Sequence, residues 1–99
     1  MITETAHITI DPAQATAFEE AVYEASSILR AAEGCRSMMI ERLLEDPSRY
    51  RLRVEWDSAD HHKVKFRESE GFRQWRALAG PFFVGTPVVE YTQTIGTFF

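Results

Sequence analysis

The 99-residue chain has one cysteine, no asparagine, no long apolar run and fewer basic than acidic side chains. The single thiol, Cys35, leaves no disulfide within the chain and no cysteine-rich metal site. Placed just after Gly34 at an expected strand start, it reads as a small buried apolar residue. With 11 Lys and Arg against 15 Asp and Glu, the net charge of -4 supplies no basic footprint for nucleic acid or an anionic membrane. A membrane-crossing helix needs about 20 consecutive apolar residues, and none are found. The N-terminal MITETAHITIDP has neither the basic nor the apolar region of a secretory leader, so a cytoplasmic location is expected. Phosphate-loop, nucleophile-elbow, CxxC and HExxH motifs are all missing, which leaves hydrolase, kinase and dehydrogenase readings without support.

What is present is strand and helix periodicity sufficient for one domain over residues 1–99 with one modest core. Residues 2–10 alternate, with Ile2, Ala6, Ile8 and Ile10 on one side and Thr3, Thr5, His7 and Thr9 on the other, which predicts a strand. Asp11-Pro12 then supplies an N-cap and a proline at the first helical position. Ala17, Phe18, Ala21, Val22, Ala25, Ile28 and Leu29 recur at helical spacing until Gly34, the expected left-handed stop. Strands over 36–45 and 49–56, joined through Asp46-Pro47, predict a hairpin. Symmetric closure of that turn would put Met39, Glu41 and Leu43 on the face of Tyr50, Leu52, Val54 and Trp56. Ser58 is the expected cap of a second helix through Val64 and Phe66. Ser69 caps a further stretch with Phe72, Trp75 and Leu78, which Gly80-Pro81 ends. Residues 87–95 read as the last strand, and the apolar tail Thr97-Phe98-Phe99 is expected to dock on this subunit or a partner. The order βαββαβ is a ferredoxin-like α+β arrangement: one antiparallel sheet with helices on one face, the other face covered by a second copy in a homodimer.

The chemistry-bearing residues cluster between Trp56 and Pro81. His61 and His62 are adjacent, so on a helix they point about 100° apart and cannot clamp one metal ion together. His62 shares a face with Phe66 and is expected half-buried beside a pocket, whereas His61 is expected in solvent beside Lys65. His62 is either a packed histidine bonded to a backbone carbonyl or an imidazole that takes a phenolic or enolic proton near neutrality. Trp56 and Trp75 are core residues or walls on which a flat ring stacks. Arg73 and Arg76 are solvated helix charges or cations that stabilise an oxyanion. In the symmetric hairpin Glu41 becomes an inward carboxylate of raised pKa, a reserve base. Tyr50 and Tyr91 serve packing or hydrogen bonding.

The ordering AEGCRS, RYRLRVEWDS, HxxxFRxSxxFxxW and Gly-Pro before the last strand resembles the antibiotic biosynthesis monooxygenase superfamily of dimeric α+β barrels, over Ile2 to Ile95. In its quinone-forming members the resemblance implies chemistry without metal or flavin: a phenolic substrate or anthrone is deprotonated, and its own carbanion reduces oxygen. It implies a pocket role for Trp56, a proton-relay role for His62 where those members carry tyrosine, a match of Val64 and Phe66 to a shared Val-x-Phe, and a pocket arginine near Trp75 or Arg76. Leu52 stands where those members carry asparagine, which the quinone-forming and haem-degrading chemistries both lean on. The expectation is a cofactor-independent monooxygenase-like enzyme that takes molecular oxygen and a small electron-rich aromatic or quinol. His62, Trp56 and Arg76 are its catalytic residues, and Phe66, Trp75, Leu52, Glu41 and Tyr91 border the substrate. The alternatives are a non-catalytic dimeric binding module, favoured by Leu52, and an isomerase-like proton-transfer enzyme working through His62 or Glu41.

Overall fold

The computed structural model describes Met1–Phe99. Four antiparallel strands, β1 (Ile2–Thr9), β2 (Cys35–Arg42), β3 (Arg49–Trp56) and β4 (Val88–Thr92), form one sheet in the order β2-β3-β1-β4. Helices α1 (Ala15–Ala31) and α2 (Glu70–Ala79) cover one face, so the architecture is the ferredoxin-like α+β fold. No helix is long and apolar enough to cross a membrane.

Local chemistry explains the boundaries. Asp11 accepts from the Ala13 amide at 2.9 Å and Pro12 opens a short 3-10 turn that leads into α1. Phe18, Val22, Ala25 and Leu29 then form the buried stripe of α1, with Phe18 edge-on to Tyr50 at 5.0 Å. Gly34 has φ +80°, and its carbonyl accepts from the Asp57 amide at 2.8 Å. A Cβ at Gly34 would stand 2.4 Å from the His61 ring, so only glycine fits both the backbone and the space. β3 buries Tyr50, Leu52, Val54 and Trp56 on one face, against Glu4, Ala6, Ile8 and Ile10 from the β1 side.

The hairpin departs from symmetric closure by one residue: Met38 faces Val54, Ile40 faces Leu52 and Arg42 faces Tyr50. The Leu43 amide bonds to the Arg49 carbonyl across the loop, and a bulge between Cys35 and Ser37 absorbs the offset at the far end. Met38 and Ile40 therefore point inward, and Met39 and Glu41 outward. Three further expectations need correction. Residues 61–66 form a π-helical turn rather than an α-helix, and the Ser58 hydroxyl bonds to His61 Nδ1 at 2.8 Å instead of capping it. His61 is accordingly half-buried against Gly34, not in solvent. The last strand stops at Thr92 rather than residue 95, and the Phe98 and Phe99 rings lie exposed on their own subunit, which leaves docking on a partner as the remaining half of that expectation.

The sheet face away from the helices carries a polar lattice: His7 with Glu90 at 2.9 Å, Arg53 with Glu41 at 2.6 Å and Ser37 with Glu55 at 2.6 Å. Replacing Gly34 by Ala is expected to lower stability by about 1–3 kcal/mol in urea unfolding, from the left-handed backbone and the His61 collision together. Adding His61→Ala should return the steric part. Strict additivity of the two substitutions would contradict the contact.

Candidate active site

Alternation along β1 turns Glu4 to the inner face, where its neighbours Ala6, Ile8 and Ile10 are apolar. The carboxyl is 5% exposed, yet each oxygen has a partner. Trp56 Nε1–H donates to Glu4 Oε1 at 2.9 Å, and His62 Nε2 lies 3.3 Å from Glu4 Oε2. On the other side of the ring, His62 Nδ1 lies 2.5 Å from the Tyr91 hydroxyl, and Tyr91 is the β4 residue paired across from Glu4. The π-helical turn sets the imidazole: the Arg67 amide bonds to the His62 carbonyl at 3.3 Å, and the turn buries His62 and Phe66 together. Behind the imidazole stand Trp56, with ring centroids 5.4 Å apart, and Phe66 at 6.2 Å.

With the imidazole neutral, two proton arrangements satisfy this chain. With Glu4 ionised, Tyr91 donates to Nδ1, and Nε2–H and Trp56 both donate to the carboxylate. With Glu4 protonated, its hydroxyl donates to Nε2 and Nδ1–H donates to the Tyr91 oxygen. One proton gained at Glu4 thus reverses every bond as far as Tyr91. Electrostatics allow that exchange. Burial pushes the Glu4 carboxyl up to about 7, against the opposing effects of the Trp56 bond and the Arg67 charge. Burial, and then Arg67, push His62 down to about 4. The close contact between them is therefore not an ion pair, because the imidazole is neutral wherever the carboxylate forms. Burial, reinforced by Glu4, also raises the Tyr91 hydroxyl.

Glu4 and His62 open onto a cavity of about 130 Å³ between sheet and helices. Leu52, Phe72 and Trp75 wall it, and Arg67 and Arg76 stand at its rim. A larger hollow of about 400 Å³ lies between α1 and α2, floored by Ile28, Ala31 and Phe66. Its only charged groups are Lys65 and Glu33, which pair with each other at 3.3 Å, so the titratable chain borders the smaller cavity.

Of the residues singled out from sequence, His62, Leu52, Trp75 and Arg76 border the cavity and Tyr91 reaches it through His62. Trp56 is fully buried and shows no surface to the cavity; its indole holds Glu4 instead. Phe66 backs the imidazole. Glu41 is excluded from the site: the one-residue register offset places it on the outer face, paired with Arg53. Arg73 is bound to Glu70 at 2.6 Å, away from the cavity. Glu4 and Arg67 were missed by pattern reading. The signal for Glu4 was available: an acid at an inward position of a strand whose other inward residues are apolar.

The fold and site together define a small α+β protein with a titratable chain set into an apolar pocket. Residues 1–78 match the family described as antibiotic biosynthesis monooxygenase, and the chain belongs to that family. The Bacillus subtilis (strain 168) protein YczJ, uncharacterized, is 30% identical over 95 residues, which cover 96% of this chain and 100% of YczJ. A Bordetella bronchiseptica protein, provisionally named an antibiotic biosynthesis monooxygenase, superposes with a TM-score of 0.93 at 37% identity, covering 95% of this chain and 96% of its own. A mutant of SnoaB from Streptomyces nogalater, a cofactor-independent oxygenase, shares the fold with a TM-score of 0.77 at 15% identity, covering 97% of this chain and 94% of its own.

The Glu4 shift has a definite sign in stability. Its folded carboxyl holds a proton up to about pH 7, whereas the unfolded one releases it near 4.5. The native state binds more protons in that window, so this group's contribution falls as pH rises through it, by about 3 kcal/mol in all. His62, shifted downward, acts in the opposite sense in parent and variant alike and largely cancels in their difference. Urea unfolding of Glu4→Gln across that window should therefore show the variant gaining steadily on the parent. A difference that stays flat with pH would remove the shift.

Proposed function

We propose that the chain is a cofactor-independent oxygenase of a small electron-rich phenol or quinol, with the Glu4–His62 pair as its base. The observation that carries this reading is the continuous Tyr91–His62–Glu4 chain opening onto an apolar cavity. A group poised near neutrality is the best match for general-base work at neutral pH. Membership of the family and the shared fold with a cofactor-independent oxygenase support the reaction class.

In this reading the phenolic proton passes to the Glu4–His62 pair, and Tyr91 carries it outward. Burial raises the affinity of Glu4 for that proton but also penalises the phenolate left behind, which the Arg67 and Arg76 guanidiniums steady. The electron-rich anion gives one electron to oxygen, and the two radicals combine at a ring carbon as a hydroperoxide. Loss of water leaves a quinone: one oxygen atom stays as the new carbonyl, and the other departs with the ring and phenolic hydrogens. The substrate itself is the reductant. Trp75 and Phe72 hold the ring, and Leu52 keeps that wall dry where the quinone-forming relatives resembled here have an amide.

Chelator-treated protein is expected to take up oxygen with at least one of a panel of anthrones, naphthols and quinols. The rate should rise with pH as Glu4 ionises around 7. His62→Phe and Glu4→Gln should each lose about 10²-fold or more. Lack of uptake across the panel would sink the proposal. A second reading, isomerase-like proton transfer, is favoured by the completeness of the base chain without any group devoted to oxygen. Solvent deuterium entering a carbonyl substrate under nitrogen, with no oxygen use in air, would select it.

We also propose a homodimer, in which the exposed Phe98 and Phe99 rings dock on the second copy. Removing residues 96–99 should shift sedimentation toward monomer. A truncated chain that stays dimeric at low concentration would refute that role for the tail.

A further inference from the structure

We infer that the cavity selects a single-ring substrate bearing a carboxylate, and that Arg67 and Arg76 read the carboxylate. This rests on the reading of the cavity as the substrate site. Size sets the first half. An apolar cavity of about 150 Å³ holds one benzene, and this one measures about 130 Å³. One ring fills the space by Leu52 and Trp75, so a fused tricycle would have to project past the rim.

Charge sets the second half. Arg36, Arg42, Arg53, Arg73 and Lys65 each hold a carboxylate oxygen within 3.5 Å, and Arg30, Arg49, Arg51 and Lys63, which hold none, all lie off this cavity. Arg67 and Arg76, the two arginines on the cavity, hold none, and Arg76 lies only against the Phe72 ring at 5.9 Å. Glu4 is the one acidic residue on the cavity wall, and its oxygens are engaged by Trp56 and His62. Burial also keeps that carboxyl largely uncharged up to neutrality, so it does not cancel the guanidiniums. On a chain of net charge -4, the rim is a local positive site without an internal counter-ion. A planar carboxylate suits the guanidinium fork, while the ring hydroxyl is directed to the Glu4 carboxyl and Thr86 is, apart from His62, the one neutral polar side chain on an otherwise apolar wall.

Equilibrium binding under nitrogen tests this without turnover, using gentisate, its methyl ester and the neutral tricycle anthrone as probes. The acid should bind about tenfold or more tighter than the ester, and its affinity should fall with salt while that of the ester holds. In the Arg67→Gln/Arg76→Gln double variant the preference should vanish and ester binding persist. Both positions are exposed, so the fold is retained, and an unchanged melting temperature checks that. Equal affinity for acid and ester, no binding of the acid, or anthrone binding tighter than the acid would each overturn the inference. Gentisate bound but never oxygenated would leave this inference standing and remove the oxygenase reading. Oxygen uptake with anthrone alone would do the reverse.

Discussion

A carboxyl group inside an apolar interior must either give up its charge or be surrounded by donors, and Glu4 is held between these solutions. The Trp56 indole and the His62 ring supply two hydrogen bonds, enough to place the group but not enough to keep it ionised at neutral pH. Much of the local architecture follows from that carboxyl. Trp56 is fully buried because its nitrogen has a partner there, and His62 is oriented because both of its nitrogens are engaged. Remove the acid, and a tryptophan, an imidazole and a phenol all lose the group that orders them.

The supports of this arrangement come from distant parts of the chain. β1 and β4 place Glu4 and Tyr91 opposite one another, the end of β3 brings Trp56, and the π-helical turn brings His62. A regular α-turn bonds each amide to the fourth residue back. Here the Arg67 amide reaches the fifth, while His62 and Phe66, four apart, still share the inward face. The same turn ends at Arg67, whose charge lowers both Glu4 and His62. The turn that places His62 thus also carries the guanidinium that tunes it.

Most of the fold was legible because its determinants are local. The Asp11-Pro12 start, the Gly34 stop, the Ser69 cap and the alternation along β1 and β3 each act within a few residues. Hairpin register was not legible, because the loop closes one residue away from symmetry, and with period-two alternation that sends Glu41 to the opposite face. The site was legible only in part. His62, Trp75 and Arg76 stand out by type and spacing, whereas the partners of Glu4 lie 52 and 58 positions away along the chain. No periodicity encodes such distances. The sequence did carry a hint in the form of a misfit: one acid among the inward residues of a strand.

Gly34 also joins two parts of the molecule mechanically. Its carbonyl clasps Asp57 and its bare α-carbon lies against His61, the residue beside the imidazole at the centre of the site. The end of α1 is therefore a stop against which the turn carrying His62 is seated. An added residue between α1 and β2 would push that stop forward and carry the imidazole off its line with Glu4. The loop around Leu44, which is 98% exposed, makes no contact with the turn that carries His62, so a residue added there leaves the imidazole in place. Two loops of similar appearance in the sequence thus differ sharply in mechanical tolerance, and glycine marks the one that transmits force.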